Sequence, residues 1–131
     1  WEWACRAGTA TEFFCGDTGE TCGPYAWHHK DSPGSTRPVA TVKPNAWGLY
    51  DMAGNVWEWC EDWMAPYGNE PQTDPQGPAT GTTRVRRGGG WSWGYPFCFR
   101  SAARDDSPPD KHDNNLGFRA AMTLGTRVPG K

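Results

Sequence analysis

The chain of 131 residues lacks the segments that mark several large protein classes. No apolar run approaches the ~20 residues that a membrane-spanning helix needs, and no signal-peptide pattern opens the sequence. With a net charge of −2, the chain also lacks the excess of Lys and Arg that a broad nucleic-acid surface requires. We therefore expect a soluble protein that neither inserts into a membrane nor binds nucleic acid.

Motifs of the common enzyme classes are also missing. The sequence contains no P-loop, no Ser-His-Asp order and no G-x-G-x-x-G in a βαβ context. It has no C-x-x-C pair, which argues against a zinc ribbon or a thioredoxin-type site. His28 and His29 are adjacent, so in a strand they would point to opposite faces. We therefore interpret these two residues and His112 as ordinary histidines rather than as the metal ligands of an oxygenase.

Residues that punctuate the chain are abundant instead. Seventeen glycines and twelve prolines break it into short elements, while nine tryptophans supply more apolar surface than a disordered chain carries. This composition predicts one packed, loop-rich domain over residues 1–131. The five cysteines are odd in number, so at least one is unpaired within the chain. Cys15 and Cys22 either close a small loop or remain two ordinary thiols.

Local patterns predict a helix that ends at Gly8 and several short strands. The predicted strands lie at 37–42, 55–63, 84–87, 99–104 and 118–122. Two polar loops are expected between them, at 66–81 and 105–115. The tail from Thr123 is expected to fray.

Three blocks rich in glycine and aromatic residues organise the second two-thirds of the chain. They read GNVWEWC at 54–60, RVRRGGGW at 84–91 and LGFR at 116–119. Glycine clusters mark places where the backbone turns tightly or approaches another segment closely. In this order and spacing, the blocks resemble the formylglycine-generating-enzyme (sulfatase-modifying-factor) family. The resemblance implies an α+β, C-type-lectin-like fold with little regular secondary structure.

The resemblance covers nearly the whole chain but only the latter part of the family's domain. Residues 1–9 read as the interior of a domain rather than as its beginning, so we expect the amino-terminal part of the family domain to be lacking. In family members that pair the cysteine at position 5, the partner follows the Gly-Phe-Arg block. This chain has Ala120 there, so that disulfide is not expected.

The first glycine block contains the kinds of oxygen donors that a calcium site requires. A side-chain amide, backbone carbonyls and a carboxylate within five residues supply the hard oxygens that calcium prefers. The resemblance implies a calcium ion here, with Gly54, Asn55, Val56 and Glu58 as the matching positions. The alternative is a glycine turn in which Asn55 and Glu58 bond to the backbone.

Cys98 decides whether the resemblance extends to catalysis. The family's oxidases convert a sulfatase cysteine to formylglycine with oxygen and copper, using two cysteines that follow the glycine block. A soft Cu(I) ion needs two such thiolates. The matching positions here are Trp93 and Cys98, so one cysteine of the pair is absent. We expect an inert Cys98, no bound copper and no oxidase activity, although Cys60 stays open as a distant ligand.

A recognition surface is the remaining candidate site, formed by residues 92–99 and 105–115. Aromatic anchors beside small, adaptable polar residues are typical of such surfaces. The candidate ligand-binding residues are Ser92, Trp93, Gly94, Tyr95, Phe97, Phe99, Asp105, Asp106, Ser107, Asp110, His112, Asp113 and Asn114.

Within the resembled family, the variable proteins of diversity-generating retroelements bind ligands through these two stretches. Adenine-directed mutagenesis there yields a restricted set of residues, and only Trp93 and Lys111 fall outside it. The resemblance therefore implies a non-catalytic protein that binds a protein or glycan ligand, displayed at a cell or particle surface. Two alternatives stay open, namely a copper- and oxygen-dependent oxidase working through Cys98 and a structural or assembly module.

Overall fold

The computed structural model describes residues 1–32, 34–73, 75–92 and 96–122. Within these ranges the chain forms one short helix, two single 3₁₀ segments and six strands. The helix is α1 (Glu2–Arg6), and the 3₁₀ segments are Gly19–Tyr25 and Pro96–Phe99. The strands are β1 (Ala26–Trp27), β2 (Ala53–Gly54), β3 (Trp57–Trp63), β4 (Arg84–Arg87), β5 (Asp105–Ser107) and β6 (Leu116–Phe118).

Helix α1 ends where the sequence predicts. Ala7 adopts a left-handed conformation with φ of 47°, and its N–H donates to the carbonyl of Trp3. Gly8 follows with φ of 92°, so two consecutive left-handed residues stop the helix. Glu2 and Arg6, one turn apart, form an ion pair at 2.9 Å that supports so short a helix.

Strands β3 to β6 form the main sheet, in the order β5-β4-β3-β6. Strand β3 runs antiparallel to β4 and parallel to β6, and β4 runs antiparallel to β5. Glu58 on β3 therefore lies between Arg87 on β4 and Gly117 on β6. The three glycine blocks, far apart in sequence, meet on this sheet.

Strands β1 and β2 form a separate two-stranded parallel ladder that fixes the start of the first glycine block. Gly54 donates its N–H to the carbonyl of Gly88 at 2.8 Å. A Cβ atom on Gly54 would lie 2.2 Å from the carbonyl oxygen of Trp27, and its φ is +74°. Only glycine permits both this approach and this conformation.

The core is formed by residues from the first third of the chain, from the first glycine block and the residues just before it, and from the segment that follows the second block. Its buried members are Cys5, Phe13, Phe14, Cys22, Ala26, Met52, Ala53, Trp57, Cys98 and Phe99. Cys15 and Cys22 form a disulfide, which decides between the two alternatives for this pair. Cys5, Cys60 and Cys98 are free thiols, as expected for Cys5.

Two strand predictions are wrong. Residues 37–42 form a loop, because side chains rather than a neighbouring strand bind their backbone. Residues 99–104 contain the end of a 3₁₀ segment and a turn, and the strand follows at 105–107. That strand occupies part of the predicted 105–115 loop, because its three residues pair with Arg84, Val85 and Arg86 of β4.

The other strand predictions agree with the structure. The 84–87 strand is confirmed, the 55–63 strand begins at residue 57, and the closing strand lies at 116–118 rather than 118–122. The tail from Thr123 lies outside the described residues.

Candidate functional site

The two stretches predicted to form a recognition surface meet at one end. The side-chain amide of Asn115 donates to the hydroxyl of Ser92 at 2.6 Å, and the indole N–H of Trp91 donates to the carbonyl of Asn114 at 3.3 Å. The carbonyl of Asn115 in turn accepts the N–H of Trp57 at 2.8 Å. The start of the first stretch and the end of the second are thus anchored to the main sheet.

The far end of the first stretch packs on the disulfide-closed loop. A Cβ atom on Gly19 would lie only 2.2 Å from Cβ of Pro96, so the two 3₁₀ segments are in close contact. The N–H of Ser101 donates to the carbonyl of Glu12 at 3.1 Å. The segment around Pro96–Phe99 is therefore held by the amino-terminal third of the chain.

The second stretch is a strand followed by a turn. Asp105 accepts a hydrogen bond from the guanidinium of Arg86 at 2.8 Å. In the turn, Lys111 lies 3.6 Å from Asp113, and a carboxylate oxygen of Asp113 accepts the N–H of Asn114 at 2.8 Å. These local bonds fix the turn's backbone.

Six of the predicted ligand-binding side chains are exposed, and Asp106 is half-buried. The exposed residues are Ser92, Phe97, Asp110, His112, Asp113 and Asn114. The predictions for Trp93, Gly94 and Tyr95 lie outside the described residues. We call the exposed set the recognition face.

Two members of the predicted set are corrected by burial. Phe99 is 4% exposed because its ring fills the core beside Gly89, where a Cβ atom would lie 2.6 Å from it. Ser107 is 7% exposed because it ends β5 and pairs with Arg84. Asp105 is half-buried and bound to Arg86. These three residues support the face rather than form it.

Cys98 is buried next to Phe99. Burial raises the pKa of its thiol, with the nearby carboxylate of Asp105 acting in the same direction. A raised pKa disfavours the thiolate, which is the form that binds copper and acts as a nucleophile. Cys60 lies on β3, half-buried, and burial raises the pKa of its thiol as well.

The side chains of the predicted calcium motif turn to different partners. Asn55, with φ of 61°, binds the loop before it. Its amide oxygen accepts the N–H of Arg37 at 3.1 Å, and its amide nitrogen donates to the carbonyl of Arg37 at 3.2 Å. Val56 packs against Gly117, because a Cβ atom added to Gly117 would lie 3.1 Å from a methyl group of Val56.

Glu58 is 5% exposed and its carboxylate is fully engaged. Arg119 donates to it at 2.6 and 3.0 Å, and the indole of Trp1 donates at 2.6 Å. The side chains of Asn55 and Glu58 therefore bind different parts of the protein, Asn55 the backbone of Arg37 and Glu58 the side chains of Arg119 and Trp1. These bonds resemble the alternative to a calcium site, which is a glycine turn in which Asn55 and Glu58 bond to the backbone. The difference is that Glu58 binds side chains.

One buried oxygen beside this motif has no hydrogen-bond partner among the described residues. Asp51 is 9% exposed, and one carboxylate oxygen accepts the N–H of Ala40 at 2.8 Å. The other oxygen makes no hydrogen bond with any described residue. The sequence analysis did not identify Asp51, although a carboxylate three residues before Gly54 could have indicated an additional calcium ligand. The calcium site stays a prediction, and Asp51 is the donor that would complete it.

In the described part of the chain, no group of three or more His, Cys, Asp or Glu side chains could hold a metal ion. The imidazole of His28 lies 3.1 Å from Asp31 and stacks on Phe99 with ring centroids 6.1 Å apart. His112 is exposed in the turn. The interpretation of the three histidines as ordinary residues stays a prediction.

Known proteins match this chain over most of its length. The family model for the sulfatase-modifying factor enzyme 1-like domain matches residues 1–124, and the chain belongs to this family. The formylglycine-generating enzyme of Streptomyces coelicolor is 40% identical over 137 aligned positions, which cover 92% of this chain and 44% of that protein.

Solved structures resemble the fold closely. Treponema denticola variable protein 1 superposes with a TM-score of 0.84 at 39% identity, covering 90% of this chain and 43% of that one. PvdO of Pseudomonas aeruginosa superposes with a TM-score of 0.74 at 29% identity, covering 89% and 47%. The expected α+β, C-type-lectin-like fold is confirmed. The chain spans less than half the length of these relatives.

The described residues include no helix long and apolar enough to cross a membrane.

Proposed function

We propose that this chain is a non-catalytic ligand-binding module that presents the recognition face on a formylglycine-generating-enzyme scaffold. The observation that carries the proposal is the superposition on a variable protein at a TM-score of 0.84. The exposure of Ser92, Phe97, Asp110, His112, Asp113 and Asn114 supports it. The proposed ligand is a protein or a glycan, and the proposed location of the module itself is a cell or particle surface.

The arrangement of the face suits a surface whose side chains vary. Backbone groups and buried neighbours hold its two stretches: Asn115 binds Ser92, and the Asn114 carbonyl accepts from Trp91. Side chains that point outward from such a frame are replaceable without loss of the frame. We therefore propose diversification of this face by a retroelement.

Sequencing tests the diversification directly. Many copies of the coding sequence from one population should differ mainly at adenine positions of codons 92–99 and 105–115. A near-identical template repeat and a reverse-transcriptase gene should lie beside them. Differences spread evenly along the chain, or no template repeat, would refute this part of the proposal.

The second candidate function is an oxygen-dependent oxidase, favoured by 40% identity to a formylglycine-generating enzyme. The experiment is incubation with Cu(I), oxygen and a peptide containing Cys-x-Pro-x-Arg, with mass spectrometry for the aldehyde. We expect no aldehyde, because Trp93 replaces one cysteine of the pair and Cys98 is buried. Aldehyde that disappears in Cys98→Ala would overturn the non-catalytic proposal.

We also propose a calcium ion at the first glycine block, with Asp51 as a ligand beside Gly54, Asn55, Val56 and Glu58. Glu58 would then exchange its bonds to Arg119 and Trp1 for the ion. The support for this site is the buried, unpartnered carboxylate oxygen of Asp51. A ligand that binds only the folded state raises the melting temperature. Calcium should therefore raise it in the wild type and not in Asp51→Asn, whereas Asp110→Asn should respond like the wild type. Melting that ignores both calcium and chelator would remove the site.

A further inference from the structure

A large cleft opens on the side of the main sheet that carries α1. Its volume is about 1180 Å³, and its walls come from α1, β3 and the long loop that follows β3. Trp1, Trp59 and Tyr67 supply aromatic walls, and Pro66, Pro75 and Pro78 line the loop side. None of the described residues in 92–99 and 105–115 lines it, and no residue of the recognition face does.

The cations that line the cleft are already bound within the molecule. Arg87 donates to Glu2 at 3.3 Å and to the hydroxyl of Tyr67 at 3.2 Å. Arg104 donates to the carbonyl of Ala65 at 3.0 Å, and its guanidinium lies 3.6 Å from the centroid of the Tyr67 ring. Arg119 pairs with Glu58, so two of the three arginines that line the cleft are paired with carboxylates, whereas Arg104 binds only a carbonyl and an aromatic ring.

The carboxylates of the cleft are different. Glu61, Asp62 and Glu70 line it, and none forms an ion pair with any residue that the structure describes. Glu61 and Glu70 are exposed and Asp62 is half-buried. The cleft therefore combines aromatic walls with an uncompensated negative charge.

We propose that this cleft binds an extended peptide segment of a partner protein that carries lysine or arginine beside proline or an aromatic residue. The volume is above the roughly 300–1,000 Å³ of small-molecule pockets, which favours a peptide over a metabolite. The aromatic walls accept prolines and rings. The carboxylates of Glu61, Asp62 and Glu70 complement its cations.

Cys60 provides a built-in reporter of occupancy. It lines the cleft and is half-buried, whereas Cys5 and Cys98 are buried in the core and Cys15 is bonded to Cys22. A thiol reagent should therefore alkylate Cys60 first. A peptide bound in the cleft should slow that alkylation, as read by mass spectrometry of the intact chain.

The probe is a short capped peptide of alternating lysine and proline with one tryptophan, and its control carries glutamate in place of every lysine. We expect the lysine peptide to protect Cys60 and to bind more weakly as salt is added, since salt screens exposed charges. The glutamate peptide should do neither. Equal protection by both peptides, or by neither at millimolar concentration, would overturn the proposal.

A triple variant locates the binding. Glu61→Gln/Asp62→Asn/Glu70→Gln should weaken the lysine peptide by about tenfold, because three exposed charge contacts are lost. The matched control Glu12→Gln/Asp17→Asn/Glu20→Gln removes the same charge from exposed residues outside both the cleft and the recognition face, and it should bind as the wild type does. An equal loss in both variants would reduce the effect to net charge and refute the site.

Two other occupants are separable outcomes. A dimer seen by analytical ultracentrifugation that dissociates in the triple variant would assign the cleft to a second copy. A Cys60 that stays unreactive when the chain is produced within a longer polypeptide would mean that its own chain covers the cleft. Either result would overturn the peptide proposal and leave the recognition face untouched.

Discussion

At the scale of single residues, buried charged side chains connect segments that are distant in sequence. Glu58 and Arg87 face each other across β3 and β4, but each binds elsewhere. Glu58 binds Arg119 and Trp1, while Arg87 binds Glu2 and the carbonyls of Ser101 and Ala103. The first residues of the chain are thereby fastened to all three glycine blocks.

Replacing Glu58 with Gln should destabilise the fold by about 2 kcal/mol. Removing one member of a buried ion pair costs about 3–5 kcal/mol, and the loss is smaller here because the side chain of Arg119 is 32% exposed. Urea denaturation measures the change. The control Glu61→Gln, an exposed residue of the same strand, should stay within about 0.5 kcal/mol. Equal stability of Glu58→Gln and wild type would contradict the structural role.

The buried Cys5 thiol should make stability depend on alkaline pH. Burial raises its pKa from 9.0 to about 11, so its contribution is complete below pH 9 and is lost as the pH rises through 11. At pH 10 the loss should be about 1 kcal/mol. Cys5→Ala removes the group, so the stability difference between the wild type and this variant should shrink from pH 8 to pH 11. A constant difference would refute it.

At the scale of elements, one short ladder is fixed by close approach and one loop by side-chain hydrogen bonds, rather than by the length of strands. Strands β1 and β2 are each two residues long, and β2 contacts β1 only because Gly54 has no side chain. The loop at 37–40 is held by the side chains of Asp51 and Asn55. Such contacts replace the regular pairing that longer strands would provide.

Two glycines of nearly equal φ separate close approach from backbone strain. Gly54 has φ of +74° and no room for a Cβ atom, whereas Gly48 has φ of +78° and nothing within 4 Å. Gly48→Ala should cost about 1 kcal/mol, the strain of a left-handed residue. Gly54→Ala should cost several kcal/mol more or prevent folding, because it separates β1 from β2. Melting temperatures measure both, and equal losses would refute the argument.

At the scale of the molecule, the recognition face and the scaffold are separable. Ser92, Phe97, Asp110, His112, Asp113 and Asn114 are exposed, whereas Phe99 and Ser107 are buried and belong to the frame. The cleft beside α1 is lined by scaffold residues and by none of the exposed face residues. One domain thus offers surfaces that change independently of its core.

A combined variant tests this separation. Asp110→Tyr/His112→Asn/Asn114→Tyr replaces three exposed side chains and should lower stability by no more than about 1–2 kcal/mol, since exposed substitutions usually stay within about 0.5 kcal/mol each. Phe99→Ser, a single change, should cost about 3 kcal/mol or more, because it leaves a cavity in the core. Calorimetry compares them. A larger loss in the triple variant than in Phe99→Ser would show that face and frame are coupled.

Much of the scaffold followed from the sequence. The glycine blocks predicted the family and the fold, and the αL signal at Gly8 predicted the end of α1. The sequence also predicted the strand at 84–87. These features depend on local conformational limits, such as a positive φ or the absence of a side chain, and neighbouring residues suffice to state them.

Tertiary structure decided the rest. Alternating polarity placed strands at 37–42 and 99–104, but the true partner of β4 is 105–107, and a three-residue polar strand has no local signature. Phe99 was predicted to lie on the recognition surface but belongs to the core. Its ring packs against Gly89, and the sequence around Phe99 does not indicate this contact.

The sequence by itself determined the family, the single missing cysteine at Trp93 and the turns that glycine alone permits, because each is a property of residue identity. Only the folded chain decided which side chains are exposed, that Cys15 bonds to Cys22, and that Glu58 pairs with Arg119. Those outcomes depend on contacts between segments up to 61 residues apart, and no local pattern fixes which distant groups meet.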